Sequence, residues 1–266
     1  MPPENFAPGT VWLVGAGPGD PELLTLKAVR LLQSADIVYF DALVGAGVLA
    51  LIPPGTPTVS VGKRSGRHSK AQGEISALLV DAALSGLKVV RLKGGDPAIF
   101  GRATEELEAL ADAGIPTFIC PGITAATAAA AAAGLSLTLR GSARSLTFAT
   151  AHAREGAPLD LDWGALAATR GTLAFYMGRA AAGSISSRLI AHGLPPETPV
   201  LVAANVGSAA QKLVHGRLEA LPFLVRAVCG DDPAVLLIGE AMARAEHAKP
   251  APQATQVTAA AADFIN

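Results

Sequence analysis

Two Gly-Asp-Pro steps stand in glycine-rich turns, Gly15-Ala16-Gly17-Pro18-Gly19-Asp20-Pro21 and Gly94-Gly95-Asp96-Pro97-Ala98-Ile99-Phe100-Gly101. Each follows an apolar run (Val11–Val14, Val89–Leu92) and precedes a stretch with apolar residues at helical spacing. Glycine admits positive φ and close backbone approach, and aspartate followed by proline has the form of a helix N-cap. A third such turn, Pro121-Gly122-Ile123-Thr124, follows Pro116–Ile119, with Thr124 as the cap. In an open parallel sheet, turns of this kind line up along the carboxyl edge, where ligands bind. A phosphate takes free N–H groups at a helix N-terminus, whereas Asp20 and Asp96 occupy those groups and repel an anion. Acid-capped glycine turns therefore suit a ligand with hydroxyls and positive charge, such as a sulfonium nucleoside. A competing dinucleotide reading rests on Gly15-x-Gly17, with Asp41 as the ribose acid and a nicotinamide-dependent (NAD) oxidoreductase as its outcome. Its fingerprint requires glycine or alanine where this chain has Asp20.

Other reactive side chains stand at strand ends. Asp41 ends the run Ile37–Phe40, and Lys63-Arg64 follow Thr58–Val61 and open a basic run with Arg67, His68 and Lys70. A carboxylate at a strand end can accept a proton or merely cap a turn. The basic run can hold substrate carboxylates or be a solvated loop. Met177 before Gly178 reads as core filling on its own. His192 and His215 have no spacing that would pair them as metal ligands, and no metal is expected.

The elements that must position these residues alternate. Strands at Val11–Val14, Ile37–Phe40, Thr58–Val61, Val89–Leu92 and Pro116–Ile119 are separated by helical patterns. These include a capping box at Ser69-Lys70-Ala71-Gln72, a helix over Thr104–Ala113 with Leu107, Leu110 and Ala111 on one face, and an alanine-rich helix over Thr124–Ala133. Alternation implies right-handed crossovers and a mostly parallel sheet. From Ser145 onward, strands at Ser145–Thr150, Thr172–Met177, Pro199–Ala204, Gln211–His215 and Ala234–Ile238 predict a mixed sheet. The expected organisation is an N-terminal α/β domain over residues 1–137, a C-terminal α/β domain over 138–245, and a loose tail over 246–266 rich in Ala, Pro, Gln and Thr.

Composition narrows the class. A chain of 266 residues, half of them hydrophobic, suits a compact α/β enzyme. A net charge of −1 gives no overall attraction to nucleic acid. Two cysteines are too few for a disulfide framework, so a reduced, cytoplasmic setting is expected. The run Ile115–Leu139 has no charge, but Pro116, Pro121, Gly122 and Gly134 interrupt it, so it reads as strand, loop and helix and not as a membrane span. The N-terminal Met-Pro-Pro-Glu-Asn lacks the basic start of a signal peptide.

The segments Val14–Pro21, Tyr39–Val44, Val61–Ser69, Arg91–Glu106, Pro121–Ala126, Thr172–Gly178, Gly207–Gln211 and Pro233–Gly239 together resemble the tetrapyrrole methylase family. Val-Gly-Lys-Arg-x-Gly joined to Tyr-x-Asp-x-Leu-Val is similar to its branch that methylates uroporphyrinogen III. The resemblance implies two α/β domains with S-adenosylmethionine folded in the cleft between them, a homodimer, and S-adenosylhomocysteine as a product. It implies methylation of two ring carbons of uroporphyrinogen III to give precorrin-2, for sirohaem or cobalamin. By position it puts cofactor contacts on Pro18, Gly94, Gly95, Asp96, Ile99, Thr124, Ala125, Met177, Gly207 and Ala234. It puts the proton acceptor on Asp41 and the proton donor on Lys63, and it raises Arg64, Arg67, His68 and Arg140 as holders of substrate carboxylates. The chain departs from the family pattern in having Leu139 where a histidine is usual and Gly141 where an acid is frequent. A later precorrin methylase is the rival within the family. A member acting on ribosomal RNA would carry a more basic surface.

Overall fold

The computed structural model describes residues 6–62, 72–151 and 159–243. The basic run with Lys63, Arg64, Arg67 and His68, the residues Ser69–Ala71 of the expected capping box, and the C-terminal tail lie outside the described residues.

The first sheet contains β1 (Val11–Gly15), β2 (Ile37–Phe40), β3 (Thr58–Ser60), β4 (Val89–Lys93) and β5 (Thr117–Cys120). Its order is β3-β2-β4-β1-β5, and every pairing is parallel. β1 and β4 are buried at every position, as central strands covered on both faces must be. Side chains alternate between the faces. Trp12, Val14, Val90 and Leu92 meet Ala28, Leu31 and Leu32 of α1 (Leu26–Ser34). On the other face Val11, Leu13 and Val89 meet Ile75 and Leu79 of α3 (Gln72–Leu84) and Leu110 of α4 (Ala103–Asp112). A single turn, α2 (Ala46–Leu49), lies between β2 and β3.

The second sheet contains β6 (Leu146–Thr150), β7 (Thr172–Tyr176), β8 (Pro199–Ala204), β9 (Lys212–Arg217) and β10 (Ala234–Ile238), in the order β6-β7-β10-β8-β9. It is mixed: β6 and β7 are parallel and the other pairings antiparallel. Helices α6 (Trp163–Ala168), α7 (Ala182–Ala191) and α8 (Leu221–Val228) cover one face. The other face takes α5 (Ala125–Ala132), which follows β5 of the first sheet. Ala126, Ala129 and Ala130 pack against Ala174, Leu201, Ala203, Val235 and Leu237. A stripe of single methyl groups lets α5 lie close to the strands and join the two sheets into one body. The uncharged run from Ile115 is thus strand, turn and helix, and among the described residues no helix is long and apolar enough to cross a membrane.

Three local expectations are corrected. Asp96-Pro97 opens no helix, because α4 begins only at Ala103, after a turn in which Phe100 and Arg102 take left-handed φ of 52° and 54°. At the first turn Asp20 is an N-cap with Pro21 at the first helical position, as expected, but the helix it opens is only the short 3-10 turn Pro21–Leu23, and α1 begins at Leu26, capped by Thr25, whose Oγ1 accepts from Ala28 N at 3.1 Å. The buried face of α4 is Ala103, Glu106 and Leu110, with Ala111 exposed. The buried face is turned away from Ala111 and toward Glu106, which lies on the other side of Leu110. Two further helices, the single turn α2 and α8, stand where no helix was expected; α8 is opened by Pro222 and buries Leu221, Val225 and Val228 at helical spacing.

Candidate active site

The carboxyl edge of the first sheet faces one edge of the second. Gly17 and Gly95 bridge the two Gly-Asp-Pro turns, with Gly95 N donating to Gly17 O at 2.7 Å and Gly17 N to Gly95 O at 3.2 Å. The third turn is pressed against them. A Cβ on Gly122 would lie 2.3 Å from Gly95 O, and one on Gly15 would lie 2.6 Å from Gly122 Cα. Only glycine fits this stack.

Both aspartates act as the sequence proposes electrostatically, though without a helix behind Asp96. Asp20 Oδ1 accepts from Glu22 N at 2.9 Å, and Asp96 Oδ1 accepts from Ala98 N at 2.7 Å. Asp96 Oδ2 also accepts from Gly122 N at 3.0 Å, tying the second turn to the third. These N–H groups are taken, and two carboxylates stand at the rim. Such a rim opposes a diphosphate and accepts a cation with hydroxyls.

The second sheet brings β7 and β8 to the same place by their carboxyl ends and β10 by its start, through the pairings Val235 with Tyr176 and Ala234 with Ala204. Met177 follows Tyr176 with φ 54° and is 48% exposed, so it is not core filling. Gly207 has φ 75°, donates its N–H to Gln211 Oε1 at 2.9 Å, and lies against the Pro18 ring, 3.0 Å from the position of an added Cβ. Ala234 sits beside the turn in which Asn205, at φ 50°, donates to Pro233 O. The Tyr176 hydroxyl reaches across to the Thr124 hydroxyl and accepts from Ala126 N at 3.2 Å. Burial pushes the Tyr176 phenol up from its usual value. The Phe100 ring stands 5.2 Å from that of Tyr176. Of the residues expected at the cofactor, Pro18, Gly94, Gly95, Asp96 and Ile99 lie on the first two glycine turns, Thr124 caps α5 and Ala125 opens it, Met177 follows β7, Gly207 follows β8, and Ala234 opens β10. Arg140 is exposed on the tight turn Leu139–Ala143, where Gly141 takes φ 94°, a conformation that an acid would adopt only with strain.

Asp41 lies at the end of β2, 28% exposed, and its Oδ1 is 2.5 Å from Arg91 Nη2. Arg91 Nε reaches Glu106 Oε1 at 3.0 Å, and Lys93 Nζ reaches Glu106 Oε2 at 2.9 Å. Burial pulls the Lys93 ammonium below its usual pKa, Arg91 adds to that, and Glu106 opposes it. Sequence reading missed this chain of charges. The one available signal was two cations, Arg91 and Lys93, at alternate positions of an otherwise apolar strand. Among the described residues no group of His, Cys, Asp and Glu could hold a metal ion.

Two sheets meeting at a glycine-turn cleft are the architecture of a ring methylase, and residues 10–222 match the family described as Tetrapyrrole (Corrin/Porphyrin) Methylases. The chain belongs to that family. It is 48% identical over 238 residues to the uroporphyrinogen-III C-methyltransferase of Paracoccus denitrificans, covering 90% of this chain and 83% of that one. It is 50% identical to siroheme synthase 1 of Yersinia enterocolitica, covering 89% of this chain but only 50% of that one, and so spans about half that relative's length. Among solved structures, uroporphyrin-III C-methyl transferase from Thermus thermophilus complexed with S-adenyl homocysteine superposes with a TM-score of 0.74 at 39% identity, covering 87% of this chain and 98% of that one. A cobalt precorrin-4 methyltransferase superposes at 0.78 with 30% identity, covering 88% of this chain and 96% of that one.

Proposed function

We propose that the chain methylates uroporphyrinogen III at two ring carbons, using S-adenosylmethionine, and yields precorrin-2 for sirohaem or cobalamin formation. The observation that carries this reading is the pair of bridged, carboxylate-bearing turns facing Met177 and Gly207 across the cleft. Identity to the uroporphyrinogen enzymes exceeds that to the precorrin-4 enzyme, which favours the first over a later precorrin methylase.

When bound, S-adenosylmethionine supplies an electrophilic methyl group: a carbon–carbon bond forms to the ring, the carbon–sulfur bond breaks, and its electron pair stays on sulfur. The residues proposed for its binding are Pro18, Gly94, Gly95, Asp96, Ile99, Thr124, Ala125, Met177, Gly207 and Ala234, and their main contribution is to hold the reactants in line. Each methylated ring must then shed a proton, and Asp41 is the proposed acceptor, with Lys63 the proposed donor elsewhere in the cycle. Arg64, Arg67, His68 and Arg140 are the proposed holders of the substrate's carboxylates. A homodimer in the cytoplasm completes the reading.

The test is to supply S-adenosylmethionine and enzymatically generated uroporphyrinogen III and to follow precorrin-2 absorbance. The same assay on Asp41→Ala is expected to show no turnover, with S-adenosylhomocysteine affinity kept. Equal loss of both would show that Asp41 holds structure or cofactor instead. Calorimetric binding of NAD, with none of S-adenosylhomocysteine, would end the methylase reading.

A further inference from the structure

Beneath Asp41 lie three full charges with almost no access to water. Arg91 and Lys93 side chains are each 3% exposed and that of Glu106 is 0%. Buried ion pairs of this kind are seldom needed for stability, since apolar residues of similar volume often serve as well or better. Their geometry is directional. The Arg91 guanidinium uses all three nitrogens on different partners: Nε on Glu106 Oε1, Nη1 on Leu92 O at 3.2 Å, and Nη2 on Asp41 Oδ1. Its plane is therefore fixed from two sides before it reaches Asp41. Glu106 is in turn fixed by Lys93 and by Gln72, whose Nε2 donates at 3.2 Å. Asp41, 28% exposed, is the one member of the four with real access to solvent. Among the described residues Asp41 Oδ1 holds the Arg91 bond and Oδ2 forms none.

We infer that Arg91, braced by Glu106, is a positioning residue that clamps Asp41 by Oδ1 and assigns Oδ2 as the atom that takes the proton. This rests on Asp41 being the proton acceptor. Arg91 touches no reactant. It acts by fixing the direction of the carboxylate, and a misplacement of about 1 Å is worth about 100-fold in rate.

The experiment compares Arg91→Met, Arg91→Lys and Asp41→Asn. Each variant is assayed for kcat, for KM for uroporphyrinogen III, for S-adenosylhomocysteine affinity by calorimetry, and for the deuterium isotope effect on kcat with substrate deuterated at its bridging methylene carbons. Arg91→Met is expected to lower kcat by about 100-fold, to leave S-adenosylhomocysteine affinity within about twofold of the parent, and to raise the isotope effect as proton loss becomes limiting. Arg91→Lys keeps the charge but not the planar fork, and is expected to recover only part of the rate. Full recovery with lysine, an unchanged isotope effect, or matched losses of kcat and cofactor affinity would overturn the inference. If Arg91→Met does not fold, Glu106→Gln removes the brace while keeping shape, and the same signature is expected of it. Parent turnover by Asp41→Asn would remove the acceptor assignment itself. An inactive Asp41→Asn beside a parent-like Arg91→Met would overturn the clamp alone.

Discussion

Gly122→Ala isolates the packing of the three turns, because Gly122 has no proposed contact with the cofactor. An added Cβ would stand 2.3 Å from Gly95 O, about 1 Å inside the 3.4 Å at which ordinary contact begins, and 2.9 Å from Gly15 Cα. Both obstacles are backbone, so no side chain can rotate away. Overpacking of this kind costs about 1–3 kcal/mol. Strain kept in the free protein lowers its melting temperature, by about 2–4 °C per kcal/mol in a chain of this size. Strain relieved by moving Gly95 breaks its bridge to Gly17 and weakens S-adenosylhomocysteine by about 5–150-fold over the same energy range. The two losses share one total, so the assay must measure both, by calorimetric titration and thermal unfolding. Gly73→Ala is the control: on an exposed position of α3 with nothing within 4 Å of the added atom, it is expected to add about 0.5–1 kcal/mol of stability. Gly122→Ala with parent melting temperature and parent affinity would show that the three turns are not packed tightly enough to exclude a methyl group.

Tyr176→Phe removes the hydroxyl shared by Thr124 and Ala126 N–H, so a loss of about 1–3 kcal/mol is expected in thermal unfolding, and a parent-like transition would count against the latch between the sheets. Met177→Gly relieves a left-handed φ of 54° and is expected to stabilise by about 1 kcal/mol while weakening S-adenosylhomocysteine binding. A less stable variant would show that the side chain serves packing. Burial pushes the Cys120 and Cys229 thiols above the usual 9.0. Their contribution to stability is therefore complete below about pH 9 and falls as pH rises through the folded values, because the unfolded chain then gives up more protons. Urea unfolding across that range checks this, and at pH 8 both thiols are expected to resist iodoacetamide until the chain unfolds.

What was legible in the sequence was local. β2 and β8 fall on the residues their apolar runs define, and Thr124 caps α5 through its hydroxyl, which accepts from Ala126 N at 3.4 Å. The glycine turns declared themselves because a backbone within 3 Å of another backbone tolerates no side chain, whatever comes next in the chain. Glu106 did not declare itself. In one dimension it is one of two adjacent acids early in a helix, which favours a solvated helix N-terminus. Its burial follows from partners 13 and 15 residues away, on a strand whose own cations looked misplaced. Met177 hid for a similar reason: its left-handed φ belongs to the chain's exit from β7 at the meeting edge, and residue type carries no trace of it.

The misread turn at Asp96 is instructive because its electrostatic consequence survived the error. An aspartate followed by proline predicts a helix N-terminus with its N–H groups already occupied. The chain has no helix there for another six residues, yet Asp96 still takes two backbone N–H groups, Ala98 on its own turn and Gly122 on the next. Without a helix dipole behind it, the turn offers an anion even less than a capped helix would. The preference for a cationic ligand therefore depends on the carboxylate and the N–H groups it occupies, not on the secondary structure that follows. Asp96→Asn would keep much of the hydrogen bonding and remove the charge. If charge selects the ligand, that variant should lose affinity for the sulfonium donor more than for its neutral, demethylated product. Equal losses for the two would show that Asp96 acts only as a tie between turns.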